Sequence, residues 1–400
     1  NTATLCKELA AHTQVSQLSF KALQDSDIHK QILVLESAQC SDPFALLGPH
    51  KIAADEYQLR TFQPGAQQVF YCDQVQKFAY QRVANSDLFI LNISEADYNA
   101  DYQQQIHYPD IIQHLQDPYK YPSTLDAVAA YLFNEGNLSQ AQRHLGAQHM
   151  SSLSCQGIRF CVWAPNAKQV SLIGAFNHWD ARKHPMRKHL ASGIWELFIP
   201  EIDKLLSDND DACCYKFSIL TDKDQRIEKA DPYAQAMQLP PATSSLFSPR
   251  SAPEHVQPIT TQAWSNRAVR NAIDQPIIIY EVHAGSWRRK GDNQYLSYRD
   301  LASELVPYVK DLGFSHIQLM PIAEFPFDGS WGYQPIGLFA PTSRFGSADD
   351  FQSLVNACHQ ADIGLLIDWV PGHFPSDAHG LAQFDGSHLY EHADPRQGYH

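Results

Sequence analysis

The segment Ile-Gly-Leu-Leu-Ile-Asp-Trp-Val-Pro-Gly-His-Phe, residues 363–374, is the most informative part of the chain for its fold. Its apolar run, 364–367, is short and ends before a Pro-Gly pair, which predicts a strand buried on both faces. The run stops at the carboxylate of Asp368, and His373 follows within the next turn. In a barrel of parallel strands the C-terminal strand ends carry the chemistry, so both are candidate site residues. For this segment alone, a turn-capping Asp368 and a plain loop His373 remain an equal alternative.

Strand and helix patterns alternate along the residues before this segment. Three apolar runs predict buried strands and two stretches of helical spacing lie between them, in the order 276–283, 301–312, 316–321, 351–358 and 364–368. Ser297 and Asp300 form a capping-box pattern that predicts where the first helix begins. The alternation predicts a parallel sheet with crossover helices, as in the first part of a (β/α)8 TIM barrel. Since only about three of the eight units of a closed barrel are present, we expect the barrel to be incomplete in this chain.

Short alternating segments separated by turn residues fill the N-terminal part and predict two β-sandwiches. The predicted strands are 57–62, 68–71 and 88–93 in the first sandwich, and 158–163, 170–173, 194–199 and 215–220 in the second. The predicted domains are a partly helical leader at 1–38, sandwiches at 39–145 and 146–258, and the barrel portion at 259–400.

The two predicted sandwiches share a sequence repeat. Residues 62–69, Phe-Gln-Pro-Gly-Ala-Gln-Gln-Val, match residues 163–170, Trp-Ala-Pro-Asn-Ala-Lys-Gln-Val, in the spacing of the aromatic, Pro, Ala, Gln and Val residues. The triplet Asp-Pro-Tyr recurs in the same order at 117–119 and 231–233. An ordered repeat indicates duplication of one sandwich unit and predicts two superposable folds. Chance similarity between turn-rich sequences is the alternative.

Composition narrows the classes of partner. With 30 Lys+Arg against 44 Asp+Glu the net charge is −14, which argues against nucleic acids and anionic membranes because both need basic surfaces. The eight cysteines form no Cys-x-x-Cys pair, so neither a disulfide scaffold nor a zinc ribbon is expected. No apolar run approaches the length of a membrane span, and the N-terminus shows no secretory signal. We therefore expect a cytoplasmic protein without a nucleic-acid or membrane partner.

A long connection, residues 322–345, joins the second predicted strand to the second predicted helix. Loops of this length inside compact domains are usually functional. Trp331 and Tyr333 lie in it among glycines that let the backbone bend sharply. A Tyr in a strand-end loop can stack on a sugar ring and donate its hydroxyl proton, so Tyr333 is a candidate ligand-binding residue. The alternative is that Tyr333 only packs the loop on the barrel rim.

Four segments of the chain resemble bacterial glycogen branching enzymes, the 1,4-α-glucan branching enzymes of the α-amylase superfamily (glycoside hydrolase family 13). They are Val-Trp-Ala-Pro-Asn-Ala at 162–167 with Gly-Ala-Phe-Asn-His-Trp-Asp at 174–180, Tyr-Glu-Val-His at 280–283 with Gly-Ser-Trp-Arg at 285–288, Asp-Gly-Ser-Trp-Gly-Tyr-Gln-Pro at 328–335, and Asp-Trp-Val-Pro-Gly-His-Phe at 368–374. Weaker likeness extends to residues 42–50. The resemblance implies two immunoglobulin-like sandwiches, the second similar to carbohydrate-binding module 48, followed by the N-terminal part of the catalytic barrel.

The resemblance also implies a substrate site at the barrel rim. Asp368 and His373 match the Asp and His with which this family holds the sugar at the cleavage subsite, and Tyr333 matches its stacking tyrosine. Trp331 and Gln334, from the same motif as Tyr333, complete the predicted substrate-binding set. The glycine before His373 stands where many amylases have Asn, which argues against a plain amylase.

The implied activity cleaves an α-1,4-glucan chain and transfers the segment to form an α-1,6 branch, in glycogen biosynthesis. Both linkages are α, so configuration is retained, and retention needs a nucleophilic and an acid/base carboxylate roughly 5–5.5 Å apart. No position here matches the family's nucleophilic Asp or acid/base Glu. Both are expected beyond His400, and this chain alone is expected to be inactive. No metal or organic cofactor is required.

Weaker signals and other functions remain open. His388 and His392 have the spacing of two metal ligands on a helix, although loop histidines are far more common. Trp163, Trp179 and Trp195 are candidate sugar platforms, of which Trp163 fits a core pattern better. The alternatives to a branching enzyme are a non-catalytic glucan-binding protein and a related debranching or trehalose-releasing hydrolase. The expected partner is an α-1,4-glucan or glycogen, and the protein is expected to be a monomer.

Overall fold

The computed structural model describes residues 25–153, 155–206, 214–248, 269 and 271–398. Its contacts separate two compact units. The first unit holds the described residues up to Ala38 and Pro43–Lys120, and the second holds Gln39–Asp42 and the described residues from Tyr121 onward. The part of the leader prediction that concerns residues 1–24 lies outside the described residues.

The first unit is a helix followed by a β-sandwich. Its helices are α1 (Asp25–Glu36) and α2 (Pro43–Leu46), and its strands are β1 (Gly48–Ala53), β2 (Glu56–Phe62), β3 (Gln68–Cys72), β4 (Lys77–Ala79), β5 (Gln81–Arg82), β6 (Leu88–Ser94), β7 (Gln103–His107) and β8 (Ile112–Gln116). They form two antiparallel sheets with strand orders β1-β2-β6-β5 and β4-β3-β7-β8. Alternate side chains such as Leu59, Val69 and Ile106 are buried in one cluster, which is the period-two pattern of a sandwich core. The strands predicted at 57–62, 68–71 and 88–93 are confirmed.

The second unit opens with helix α3 (Ala127–Asn134), which was not predicted, and continues with the second sandwich. Its strands are β9 (Gly146–Ser152), β10 (Cys155–Trp163), β11 (Gln169–Gly174), β12 (Arg187–His189), β13 (Ile194–Pro200), β14 (Cys214–Leu220), β15 (Arg226–Lys229), β16 (Ala236–Met237) and β17 (Ser245–Leu246). The sheets have the orders β12-β13-β10-β9 and β11-β14-β17-β16, and β15 pairs with β14. Phe160, Trp195 and Phe217 are fully buried, and all four predicted strands are present.

The barrel portion alternates strand and helix as predicted. Its elements are β18 (Ile279–Val282), α4 (Tyr298–Asp311), β19 (His316–Leu319), β20 (Ala323–Glu324), β21 (Gly337–Pro341), α5 (Ala348–Gln360), β22 (Gly364–Ile367) and α6 (Pro395–Gly398). Strands β18, β19 and β22 form a parallel sheet in that order, and Leu301, Leu305 and Leu354 of the two long helices pack with it in one core. The capping box of Ser297 and Asp300 is present, so the predicted start of α4 is confirmed.

Two strands of this sheet are less buried than predicted. Strand β18 begins at Ile279, and Ile277 and Ile278 before it are 54% and 53% exposed. In β22, Leu366 and Ile367 are 40% and 46% exposed, so the prediction that this strand is buried on both faces is wrong. The reason is that α4 and α5 cover one face of the sheet, and β18 and β22 are its edge strands.

Candidate active-site rim

The carboxylate of Asp368 stands at the C-terminal end of β22. Its backbone N–H donates to the Leu319 carbonyl over 3.0 Å, which extends the parallel pairing with β19 by one residue. Gln318 Nε2 donates to Asp368 Oδ1 over 2.7 Å, and the Tyr333 hydroxyl donates to Oδ2 over 2.9 Å. The structure therefore brings Tyr333 and Asp368 into direct contact and fixes the orientation of the carboxylate from two sides.

The Tyr333 phenol is a neutral hydrogen-bond donor with an accessible ring. Desolvation, the hydrogen bond to Asp368 and the nearby charges of Asp368 and Glu281 raise the pKa of Tyr333 above its usual value. Its proton therefore stays in place at neutral pH. The side chain is 38% exposed, so one part of the ring is open to a ligand while the hydroxyl is held.

Two polar residues of this rim were not predicted from the sequence. Gln318 of β19 contacts Asp368 directly, and Glu281 of β18 lies beside Gln318 in the strand register. A polar side chain inside an otherwise apolar strand needs a hydrogen-bonding partner. This pattern was the sequence signal by which Gln318 and Glu281 could have been found. The parallel pairing of β18, β19 and β22 brings these residues to one end of the sheet.

The loop that carries Trp331 and Tyr333 passes close to the end of β19. Gly332 has a φ of +90°, and a Cβ there would lie 2.4 Å from the Pro321 carbonyl oxygen, so only glycine allows this approach. The Trp331 indole is 54% exposed and stacks on the His283 imidazole, with ring centroids 5.5 Å apart. The rim thus presents an exposed apolar ring next to hydrogen-bonding groups, which is the combination that a sugar ring needs.

Arg344 holds the same loop from the inside. Its Nη1 donates to Glu324 Oε1 and to the Phe325 carbonyl, each over 2.7 Å, and its Nε donates to Asp328 Oδ1 over 2.7 Å. Glu324 is 1% exposed and also accepts the Ser343 N–H over 2.7 Å. Removing one partner of a buried ion pair costs about 3–5 kcal/mol, so this network fixes where the loop lies.

The other three predicted substrate-binding residues differ in how they lie relative to the contact between Tyr333 and Asp368. His373 has a φ of +58° and lines a cavity of about 430 Å³, which neither Tyr333 nor Asp368 lines. Gln334 is half-buried in the loop next to Tyr333, and Trp331 is exposed in the same loop. Of the five predicted residues, Tyr333 and Asp368 are in contact. Trp331 and Gln334 lie in the same loop as Tyr333, and His373 lines a separate cavity.

The three candidate platform tryptophans differ in their exposure. Trp195 is fully buried and its Nε1 donates to the Ala164 carbonyl over 2.9 Å. Trp163 is half-buried and its Nε1 donates to the Ser192 carbonyl over 3.1 Å. Trp179 is 41% exposed, so it is the member of the three that presents its ring to solvent.

The predicted histidine pair has separate hydrogen-bond partners. His388 Nδ1 lies 3.2 Å from Glu391 Oε1, and His392 Nδ1 accepts the Asp394 N–H over 3.1 Å. Within the described ranges, no group of three or more His, Cys, Asp or Glu side chains is arranged to hold a metal ion. Likewise, no helix in these ranges is long and apolar enough to cross a bilayer.

A cleft of about 900 Å³ lies in the second unit between strands β14–β15 and residues 376–391. Its walls carry polar side chains of both charges, including Lys216, Arg226, Glu228, Lys229, Thr243, Asp377, His379 and Glu391. Groups that both donate and accept hydrogen bonds suit a hydroxyl-rich ligand.

Three family models match this chain. In chain order they are the alpha-1,4-glucan branching enzyme GlgB N-terminal domain at residues 28–119, carbohydrate-binding module 48 (isoamylase N-terminal domain) at 144–234, and the alpha amylase catalytic domain at 300–399. The first two coincide with the two sandwiches, and the third coincides with the strand and helix alternation of the barrel portion.

Curated relatives are similar along nearly the whole chain. The chain is 44% identical over 383 residues to a 1,4-alpha-glucan branching enzyme GlgB of Rhodospirillum rubrum, covering 92% of this chain and 50% of the relative. It is 44% identical over 376 residues to GlgB 2 of Xanthomonas euvesicatoria pv. vesicatoria (94% and 49% covered) and 43% identical over 375 residues to GlgB of Shewanella sp. strain MR-4 (92% and 49%). The chain spans about half the length of the curated relatives it matches.

Proposed function

We propose that this protein cuts and rejoins α-glucan chains, because the chain belongs to the family of bacterial 1,4-alpha-glucan branching enzymes. The proposed reaction cleaves an α-1,4 linkage and transfers the released segment to a glucan hydroxyl, which forms an α-1,6 branch. The proposed substrate is an α-1,4-glucan or glycogen, and the proposed role is in glycogen biosynthesis.

The observation that carries this proposal is the pair of hydrogen bonds on Asp368, 2.7 Å from Gln318 and 2.9 Å from Tyr333. A carboxylate oriented by two donors can accept hydrogen bonds from sugar hydroxyls without first reorganising. These bonds strengthen as the sugar develops oxocarbenium-like positive charge, so they favour the transition state over the bound substrate. The accessible ring of Tyr333 supplies an apolar face against the sugar.

Asp368 is a substrate-binding residue in this proposal and not the nucleophile. The resemblance matches Asp368 to the family's sugar-holding Asp, and no position of this sequence matches the family's nucleophilic Asp. A retaining transfer proceeds through a covalent glycosyl–enzyme intermediate, with a second carboxylate acting first as acid and then as base. In this proposal neither of these two carboxylates is Asp368.

The other rim residues have proposed roles that follow from their surroundings. Trp331, stacked on His283, offers a second apolar surface for the glucan chain. Gln334 offers an amide for a sugar hydroxyl. His373 matches the family's hydroxyl-binding histidine, and in this proposal it reaches the substrate from the wall of its own cavity.

The test is the branching activity of the full-length natural protein on amylose. Transfer conserves the number of reducing ends, whereas hydrolysis increases it. We expect altered iodine staining and new α-1,6 linkages with a constant number of reducing ends. A rise in reducing ends without new branches would indicate a debranching or other hydrolase, and glucan binding without either change would indicate a non-catalytic protein.

Variants of the rim connect this activity to the geometry. Asp368→Asn should lower kcat by about 100-fold or more, because a group oriented toward transition-state charge is lost. Tyr333→Phe removes one hydrogen bond and should cost about threefold to tenfold. Tyr308→Phe, on the helical side of the sheet, is the matched control and should keep full activity. Unchanged activity in Asp368→Asn would contradict the role proposed for Asp368.

The domain boundaries, the cellular location and the oligomeric state are also proposals. The domain boundaries at 38/39, 145/146 and 258/259 remain proposals, of which the last lies outside the described residues; limited proteolysis would test them against the division after Lys120 between the two compact units. The proposed cytoplasmic location would be tested by cell fractionation. The proposed monomeric state would be tested by light scattering.

A further inference from the structure

The first sandwich has an open sheet face rich in amide side chains. Strands β4, β3, β7 and β8 form this sheet, and their alternate residues Val69, Tyr71 and Ile106 point into the core. The opposite alternation points outward and consists of exposed or half-buried side chains, here called the amide face: Gln68, Phe70, Cys72, Lys77, Ala79, Gln103, Gln105, His107, Ile112, His114 and Gln116.

The amide face carries no carboxylate. The four strands read Gln-Val-Phe-Tyr-Cys, Lys-Phe-Ala, Gln-Gln-Gln-Ile-His and Ile-Gln-His-Leu-Gln, in a chain with 44 Asp+Glu. Each amide both donates and accepts hydrogen bonds, and only Lys77 carries a full charge among the outward residues of these strands. Such a surface suits a neutral ligand with many hydroxyl groups and repels neither a cation nor an anion strongly.

An aromatic ring lies in the middle of this face. Phe70 pairs with Gln105 on β7, and Gln105 pairs with His114 on β8, so the three form one row across neighbouring strands about 4.8 Å apart. The Lys77 ammonium lies 4.2 Å from the Phe70 ring centroid, and the His107 ring centroid lies 5.0 Å from it. Gln105 Nε2 and His114 Nε2 are 3.3 Å apart. The row therefore places an apolar ring beside several hydrogen-bonding groups.

The corresponding sheet of the second sandwich has a different outer surface. Strands β11, β14 and β15 occupy the positions of β3, β7 and β8 in that sheet. There, Ser171 Oγ donates to the Ala181 carbonyl over 2.5 Å and Ser171 also forms a bridge with Pro185, so chain from 175 to 186 covers part of β11. Further along, Lys216 and Arg226 line the cleft of about 900 Å³. In the first sandwich only a short turn separates β3 from β4, so the chain between these two strands does not cover the face.

We propose that the amide face binds a second stretch of the α-glucan chain. This inference rests on the proposed function, since it takes its ligand class from there. The outward amides and imidazoles form hydrogen bonds with the sugar hydroxyls, and the C–H face of a sugar packs on Phe70. A polymer held at this face and at the rim gains effective concentration at the second site without any new contact there.

The test is native gel electrophoresis of the full-length protein through gels containing glycogen, with Phe70→Ala and Gln105→Ala as variants. Each variant should weaken the apparent affinity for glycogen by about threefold to tenfold, the range that one lost neutral hydrogen bond or ring contact gives. The matched control is Gln81→Ala, because Gln81 is exposed on β5 in the opposite sheet of the same sandwich. It should migrate like the unchanged protein.

A second substitution separates binding from folding. Gln105→Glu keeps the side-chain size and adds one charge, so its melting temperature should stay close to that of the unchanged protein while glycogen affinity falls. Unchanged glycogen affinity in folded Phe70→Ala and Gln105→Glu would overturn the proposal. So would light scattering that shows a dimer of the unchanged protein dissociating in these variants, since the face would then bind a second copy of the chain.

The outcomes also distinguish this inference from the proposed function. If the protein branches amylose and the variants keep full glycogen affinity, the binding role proposed for the amide face is wrong and the proposed function is supported. If the protein does not branch amylose and the variants lose glycogen affinity, the proposed function is wrong and the amide face is supported as a glucan-binding site.

Discussion

In each of the two sandwiches, a fully buried tyrosine donates its hydroxyl proton to a buried aspartate. Tyr102 donates to Asp117 Oδ2 over 2.7 Å in the first, and Tyr215 donates to Asp231 Oδ2 over 2.6 Å in the second. The other oxygen of each aspartate accepts the backbone N–H of the tyrosine two residues later, over 2.9 Å and 2.8 Å. The Asp-Pro-Tyr repeat in the sequence therefore forms the same hydrogen-bonded turn in both sandwiches, which supports duplication of a sandwich unit.

A glycine repeats in the same manner. Gly48 in β1 and Gly146 in β9 have φ values of +85° and +77°. A Cβ on Gly48 would lie 2.6 Å from the Tyr119 carbonyl oxygen, and one on Gly146 would lie 2.9 Å from the Tyr233 carbonyl oxygen. Each first strand thus passes closely over the Asp-Pro-Tyr turn of its own sandwich.

The surroundings of the shared turn differ between the sandwiches. Burial raises the pKa of both aspartates, and Lys120, which follows the turn of the first sandwich, opposes this rise at Asp117. Tyr119 packs edge-on against Phe44, while Tyr233 stacks on Phe339 of the barrel portion. The comparison teaches that the hydrogen-bonded interior was kept, and that the outer contacts changed as the second sandwich came to pack on the barrel portion.

The largest expected effect comes from adding a methyl group at either repeated glycine. Gly48→Ala and Gly146→Ala combine a left-handed φ with overlap on a carbonyl oxygen, and each should lower the free energy of unfolding by about 4 kcal/mol. Hydrogen–deuterium exchange should accelerate in the peptides of the substituted sandwich. Gly65→Ala is the control, because Gly65 has a φ of +79° with no atom within 4 Å of its Cβ position. Equal effects at Gly65 and Gly48 would show that the cost comes from the left-handed φ alone and not from the close approach to Tyr119.

The strands of both sandwiches were predictable because period-two alternation is local information. The capping box at Ser297 and Asp300 was predictable for the same reason, since its partners are three residues apart. The exposure of Leu366 was not, because burial depends on which elements cover a sheet and no single strand encodes its neighbours. Helix α3 was missed because its apolar residues show no clear one-sided spacing: Val128 and Tyr131 are both exposed.

The candidate site was predictable mainly through the resemblance to a family. Tyr333 and Asp368 were selected together by motif, and they are in contact. The contact of Gln318 with Asp368 was missed because it depends on the parallel register of β19 and β22, in which His316 pairs with Gly364. The direction of His373 depends on its left-handed backbone, with a φ of +58°, which residue type alone does not reveal.

The second expected effect is a difference in pH dependence between the two aspartates. Burial raises the pKa of Asp231 from 3.8 to about 6, against the opposing hydrogen bonds from Tyr215 and Tyr233. Between these values the folded state holds a proton that the unfolded state has lost, so stability falls as pH rises from about 4 to about 6. This loss amounts to about 3 kcal/mol and stays constant at higher pH. Asp231→Asn should remove the slope from the melting temperature measured across this range.

Asp117→Asn is the matched variant in the first sandwich. Burial also raises the pKa of Asp117, but Lys120 opposes the shift, so this substitution should change the slope less. Equal slopes for the unchanged protein and Asp231→Asn would contradict the idea that the Asp231 carboxyl is the less compensated of the two.

A third difference concerns a lysine that only the second sandwich has at this point. Lys229 stands two residues before Asp231, where the first sandwich has Leu115, and its Nζ donates to the Gly380 and Ala382 carbonyls over 3.1 Å and 2.9 Å. Burial lowers the pKa of Lys229 from 10.5 to about 8. The unfolded state binds more protons between these values, so stability should rise as pH rises from about 8 to about 10.5.

Lys229→Met should abolish that rise and loosen the attachment of residues 376–391. We expect amide exchange in this segment to accelerate by about tenfold at neutral pH, since hydrogen bonds from a charged donor are lost. Lys168→Met is the control, because Lys168 is exposed and paired with Asp224 at the surface. A rise in stability that persists between pH 8 and 10.5 in Lys229→Met would assign it to another group.

The smallest expected effect tests the outer contact of the shared tyrosine. Phe339→Leu keeps an apolar side chain but removes the ring that stacks on Tyr233 at 5.0 Å and 12°, and should cost about 1 kcal/mol. Exchange should then accelerate in β21 and in the Asp-Pro-Tyr turn of the second sandwich together, because the ring joins them. Phe339 also lies 5.9 Å from Trp369, so Trp369→Leu is needed beside it. If Trp369→Leu reproduces the whole effect, the stack on Tyr233 is not what distinguishes the second sandwich from the first.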